Sequence, residues 1–90
     1  MKSEKTVKLI NRLGLHARAA SKFVQEASRF RAEIRVGHNG EEVNGKSILG
    51  LLLLAASCGS KLTLSAEGED AEEALAALTK LIADRFGEAD

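Results

Sequence analysis

Apolar positions along this chain keep two different periods, and the switches between them mark its elements. Residues 5–10 (KTVKLI) alternate, with Val7 and Leu9 on one face, which predicts a strand. A glycine-containing loop, NRLGL, follows. From Ala17 to about Arg29, Ala20, Phe23, Val24 and Ala27 recur at i, i+3, i+4 and i+7, with Phe30 beyond, so an amphipathic helix is expected. Glu33 to His38 alternates again, with Ile34 and Val36 inward. Asn39-Gly40 is a strong two-residue hairpin signal and returns the chain into a short strand, Glu41 to Asn44. Asn44-Gly45 turns the chain, and Ser47 is a good N-cap for a short helix. After a loop at Cys58–Ser60, Lys61 to Glu67 alternates cleanly, with Leu62, Leu64 and Ala66 on one face. Asp70 is placed to cap a last helix, and Glu73 three residues on completes a capping box. Its buried stripe is Ala71, Ala74, Leu75, Leu78, Leu81, Ile82 and Phe86, and Gly87 suits its end.

The predicted order is β-α-β-β-α-β-α. No run of parallel βα units appears, and each strand has one polar face. This implies an α+β open-faced sandwich: a four-stranded, mostly antiparallel sheet with three helices on one face. Residues 1–90 read as a single domain without repeats or low-complexity tracts. The helix from Ser47 carries an unusual run, Ile48-Leu49-Gly50-Leu51-Leu52-Leu53-Leu54, apolar all round. Leu51 and Leu54 are expected inward. Ile48, Leu49 and Leu52 are then outward near His16, an apolar docking surface. A covering loop or self-association would be the alternative.

Composition narrows the picture. The formal net charge is zero, but it is unevenly spread. Residues 1–40 hold nine basic and three acidic groups, a balance of +6; residues 41–90 hold four and ten, a balance of −6. The basic portion could face an acidic partner or a phosphate, unless the two portions interleave in space and cancel. The aromatics are three phenylalanines, Phe23, Phe30 and Phe86, which argues against a single-stranded nucleic-acid platform built on stacking. Cys58 is the one cysteine, as suits a reducing cytoplasm, and its setting predicts a buried filler. The N-terminus lacks a signal-peptide apolar core, and the longest apolar run, Ile48 to Ala56, is too short to span a bilayer. A cytoplasmic protein with no membrane insertion is expected.

The stretch GLHARAAS (Gly14 to Ser21) carries the candidate chemistry. The first backbone N–H groups of a helix lack partners, and the helix dipole adds positive charge there, so an anion site forms. His16 sits at its lip. Neutral imidazole is nucleophilic on one ring nitrogen. Arg18 offers a planar fork to phosphate oxygens. The backbone N–H groups of Ala17 and Arg18 complete the cradle, and Gly14 lets the loop come close. These are the parts of a phosphorylated histidine. A phosphate-binding Walker loop, a magnesium-holding acidic cluster and a second catalytic histidine are missing, so the chain is expected to receive and pass on a phosphoryl group without being an enzyme. No cofactor is implied. His38 lies beside a hairpin turn and reads as exposed and inert, and His16 and His38 lack the further ligands a metal would need. By itself, His-Ala-Arg also suits a polar helix boundary with no chemistry.

Three stretches, NRLGLHARAAS from Asn11, VNGKSILGLLLL from Val43 and AEGEDAEEAL from Ala66, resemble the HPr family of histidine-containing phosphocarriers in the bacterial phosphoenolpyruvate-dependent sugar phosphotransferase system. The resemblance spans roughly residues 4–86. It implies that His16 takes a phosphoryl group on Nδ1 from enzyme I and donates it to enzyme II A-type components. It implies that Arg18 steadies the phosphate and that Asn11 braces the loop before the helix. A serine in the context of Ser47 is, in many members, phosphorylated by HPr kinase/phosphorylase. A serine N-cap is also stabilising by about 1 kcal/mol with no regulation at all. One departure stands out: Ala19 replaces the family's usual proline, which bears on the stiffness of the first helical turn. Two other readings stay open: a regulatory or nitrogen-type paralogue, and a small α+β module that binds RNA or an acidic partner without using His16.

Overall fold

A computed structural model describes residues 1–90. The elements are β1 (Lys2–Lys8), α1 (Ala17–Ala27), β2 (Glu33–His38), β3 (Glu41–Asn44), α2 (Ile48–Leu53), β4 (Lys61–Glu67) and α3 (Ala71–Ala83), with a short 3₁₀ turn at Arg85–Gly87. One four-stranded sheet has the order β1-β4-β2-β3, and every neighbouring pair is antiparallel. β4, the last strand in sequence, inserts between β1 and β2, so those two run parallel without touching. The helices cover one face and leave the other to solvent, an open-faced sandwich.

Position in the sheet explains how legible each strand is. The central strands β2 and β4 bury alternate residues: Ile34, Val36, Leu62, Leu64 and Ala66 are all inaccessible. The hairpin between β2 and β3 turns on Asn39 and Gly40, both at positive φ (51° and 82°), as a two-residue turn of this hand requires. The edge strand β1 is the one displaced from expectation, since it covers Lys2–Lys8 rather than residues 5–10. Its ladder runs from Lys2 opposite Glu67 to Lys8 opposite Lys61, so the length of β4 sets its start. An edge strand with little apolar alternation carries no pattern to announce that start. Leu9 lies beyond it, yet is fully buried and exchanges backbone bonds with Ser60 and Gly59.

α1 ends at Ala27, two residues short of expectation, with Ser28 as C-cap; Phe30 packs half-buried outside the helix. Its buried face is Ala19, Ala20, Phe23 and Ala27. In α2, the Ser47 Oγ accepts a hydrogen bond from the Gly50 N–H at 3.0 Å, the expected cap. Leu51 and Leu54 are buried, while Ile48, Leu49 and Leu52 are exposed, as is Leu53.

The capping box at Asp70 does not form. Asp70 precedes α3, but its side chain makes no cap bond. Its carboxylate instead accepts the backbone N–H groups of Arg31 and Ala32, each at 2.8 Å. Two charge-assisted bonds to otherwise unpaired loop donors outweigh one bond at a helix start. The backbone N–H bond from Arg31 holds the Asp70 carboxyl below its ordinary range against the opposing effect of burial, with help from Ala32 and the Lys46 charge. Two further expectations are corrected. Cys58 is exposed, because its turn projects from the loop between α2 and β4. His38 is half-buried, with Nδ1 3.3 Å from the Lys61 carbonyl of the neighbouring strand.

Candidate functional site

Gly14 sets the path of the loop that delivers His16. Its φ is +64°, and a Cβ there would lie 2.6 Å from the Ala56 carbonyl oxygen, so only glycine fits the approach. The next residue, Leu15, donates its N–H to that same carbonyl at 2.9 Å. The loop is thereby docked on the segment after α2. His16 then takes the N-cap position of α1 with extended backbone (φ −81°, ψ −179°), and its side chain makes no cap bond. Its carbonyl accepts the Ala20 N–H at 2.8 Å and starts the helix. The N–H groups of Ala17, Arg18 and Ala19 have no partner in the protein. Ala19 is wholly buried in the first turn, and α1 is regular there without a proline.

The imidazole is free to look elsewhere, and it meets a group from the far end of the chain. His16 Nε2 lies 2.5 Å from Glu88 Oε2, across 72 residues. The other carboxylate oxygen, Oε1, accepts from Asn11 Nδ2 at 3.0 Å. Asn11 is completely buried, and its second amide hydrogen goes to the Gly14 carbonyl at 2.7 Å. It therefore braces the loop, as expected, and also holds Glu88. Its Oδ1 is buried without a partner. Burial pushes the Glu88 carboxyl up, but the hydrogen bonds from Asn11 and His16 and the nearby Lys22 charge outweigh that and keep it below its ordinary value.

Three anchors bring Glu88 to this place. Arg85, Phe86 and Gly87 all have positive φ and turn the chain back after α3. Phe86 is buried in the core, and its carbonyl accepts Lys22 Nζ at 2.6 Å. The Arg12 N–H donates to the Asp90 carbonyl at 2.9 Å. An open cleft of about 440 Å³ results, lined by Arg12, Leu13, His16, Arg18 and the tail from Glu88 to Asp90. Arg18 is exposed on its wall, and its guanidinium makes no hydrogen bond or ion pair within the protein. Of the residues expected at the helix start, His16 and Arg18 line this cleft, and Ala17 lies between them in sequence without lining it. Sequence reasoning missed Glu88, Arg12 and the exposed Leu13. No local pattern marks Glu88, since it follows the last helix by several residues. Ser47, the N-cap of α2, and Ile48, Leu49 and Leu52 on that helix, which packs beside α1, do not line this cleft.

The fold and the site define a class by their geometry: small open-faced sandwiches with an accessible imidazole at the start of a helix. HPr from Thermoanaerobacter tengcongensis superposes with a TM-score of 0.94 at 48% identity, over 98% of this chain and 99% of that one. The family described as PTS HPr component phosphorylation site matches residues 3–84. The phosphocarrier protein HPr of Neisseria meningitidis serogroup A is 49% identical over 97% of this chain and 98% of its own length. That of Pseudomonas aeruginosa is 52% identical over 93% and 94%. The chain belongs to the HPr family, the phosphocarrier proteins of the phosphotransferase system. This favours the carrier reading over a binding module that leaves His16 idle.

Proposed function

We propose that His16 is the residue that carries the phosphoryl group in this phosphocarrier. The observation that bears most weight is its placement at the N-cap of α1. There an imidazole edge without a partner shares the helix start with the exposed, unpaired N–H groups of Ala17 and Arg18 and the unpaired guanidinium of Arg18. Phosphorylated enzyme I is the donor, and enzyme II A-type components are the acceptors. The N–H groups of Ala17 and Arg18 and the Arg18 side chain hold the phosphate oxygens. The chain acts as substrate and donor for these enzymes, in the cytoplasm, rather than as an enzyme itself. Leu13, 60% exposed on the cleft rim, and the outward residues Ile48, Leu49 and Leu52 of α2 supply apolar surface for docking.

A second role falls to Ser47, as a phosphorylation site for HPr kinase/phosphorylase. Its Oγ already sits at a helix start, where added negative charge is tolerated. The same charge beside Ile48 and Leu49 would oppose docking of an acidic partner. Intact mass after incubation with phosphoenolpyruvate, magnesium and enzyme I tests the main reading. One acid-labile phosphate is expected on the wild type and on Ser47→Ala, and none on His16→Ala. Phosphate retained by His16→Ala would refute it.

A further inference from the structure

We propose that Glu88 is a positioning residue that keeps the proton on Nε2 of His16 and so reserves Nδ1 for the phosphoryl group. The inference rests on the reading of His16 as the phosphoryl acceptor. A neutral imidazole has one N–H and one lone pair, and which nitrogen holds which is set by its partners. An ionised carboxylate can only accept. Glu88 Oε2 stands 2.5 Å from Nε2, so Nε2 is the N–H and Nδ1 keeps its lone pair. The carboxylate stays ionised because Asn11 and His16 both donate to it despite its burial.

The pairing is held on several sides. Asn11 Nδ2 grips Oε1 at 3.0 Å from a fully buried position. Phe86, anchored in the core, and the Arg12–Asp90 backbone bond fix the tail on either side of Glu88. The same arrangement, a carboxylate on one ring nitrogen and chemistry on the other, orients histidines in other proteins. During transfer the Nδ1 lone pair forms a bond to phosphorus. The bond from phosphorus to the donor breaks, and its electron pair stays with the donor. No proton moves: Nε2 keeps its hydrogen, the ring becomes cationic, and Glu88 balances that charge. On donation the Nδ1–phosphorus pair returns to the ring, which is neutral again.

The test uses the full ¹⁵N-labelled chain without partners, at about pH 9, well above the ordinary imidazole range. Ring ¹⁵N shifts report which nitrogen bears hydrogen. The wild type should show Nε2–H alone. Glu88→Ala should admit a measurable Nδ1–H population, and Glu88→Asp should restore the wild-type pattern at least in part. In phosphoryl acceptance from enzyme I, Glu88→Ala should lower kcat about tenfold or more with KM little changed, the size typical of losing such an orienting partner. A wild type protonated on Nδ1 would overturn the proposal, and needs no variant to fold. So would Glu88→Ala with wild-type shifts and kcat. Phosphate retained by His16→Ala would instead strike the reading of His16, and the tautomer result would stand apart from it.

Discussion

Asn11→Ala removes two donors at once, and the structure lets the loss be sized. The Gly14 carbonyl loses its side-chain partner inside a buried loop, and Glu88 Oε1 loses a charge-assisted bond. Leaving a buried acceptor unsatisfied costs about 1–3 kcal/mol, and a hydrogen bond to a charged group contributes about 1.5–3 kcal/mol. The Glu88 side chain keeps 13% exposure, so water recovers part of the second term. Asn11 Oδ1 has no partner to lose. A loss of about 2–4 kcal/mol follows. That is a large share of the roughly 5–13 kcal/mol expected for a chain of this length. Tm should fall by about 8 °C or more, at about 4–8 °C per kcal/mol. Urea unfolding with an unchanged m-value measures the loss directly. Combined with Glu88→Ala in a double-mutant cycle, the two sites should couple by about 1 kcal/mol or more. An Asn11→Ala loss under about 0.5 kcal/mol, or strict additivity with Glu88→Ala, would refute the bracket as described.

Two other outcomes test separate parts of the fold. Asp70 has a folded-state carboxyl held below its ordinary value of 3.8, so the stability it contributes is present above that pH and fades as pH falls through the lowered value. Asp70→Asn should therefore be less stable than wild type near neutral pH, with the gap closing in acid; urea midpoints at pH 7 and about pH 3 measure this, and a gap that does not change between them counts against the Arg31–Ala32 latch. Ser47→Ala removes the cap bond to Gly50 and should cost about 1 kcal/mol in urea unfolding while leaving His16 phosphorylation intact. No change in stability would mean that the cap bond carries no net weight.

How much of this protein could be read from its residues depends on the range of the interactions involved. β2, β3, β4 and the start of α1 lie where periodicity and turn chemistry put them, because a few adjacent residues decide each. The Asn39-Gly40 turn and the Ser47 cap are just as local. The position of His16, Ala17 and Arg18 at the start of α1 was legible for the same reason, because a helix start is a local structure. β1 was less legible, since its partner strand sets its extent.

What tertiary structure alone decided is the choice of partner made by polar side chains. Asp70 looked like a cap and turned instead to Arg31 and Ala32, 39 and 38 residues away. Cys58, read as buried, was left outside. Glu88 carried no signal, yet it reaches His16 across 72 residues because Phe86 and Lys22 pin the turn before it. A side chain's own chemistry says which bonds it can make. Which bonds it does make depends on which distant groups the packed core brings within about 3 Å, and no window of adjacent residues contains that information.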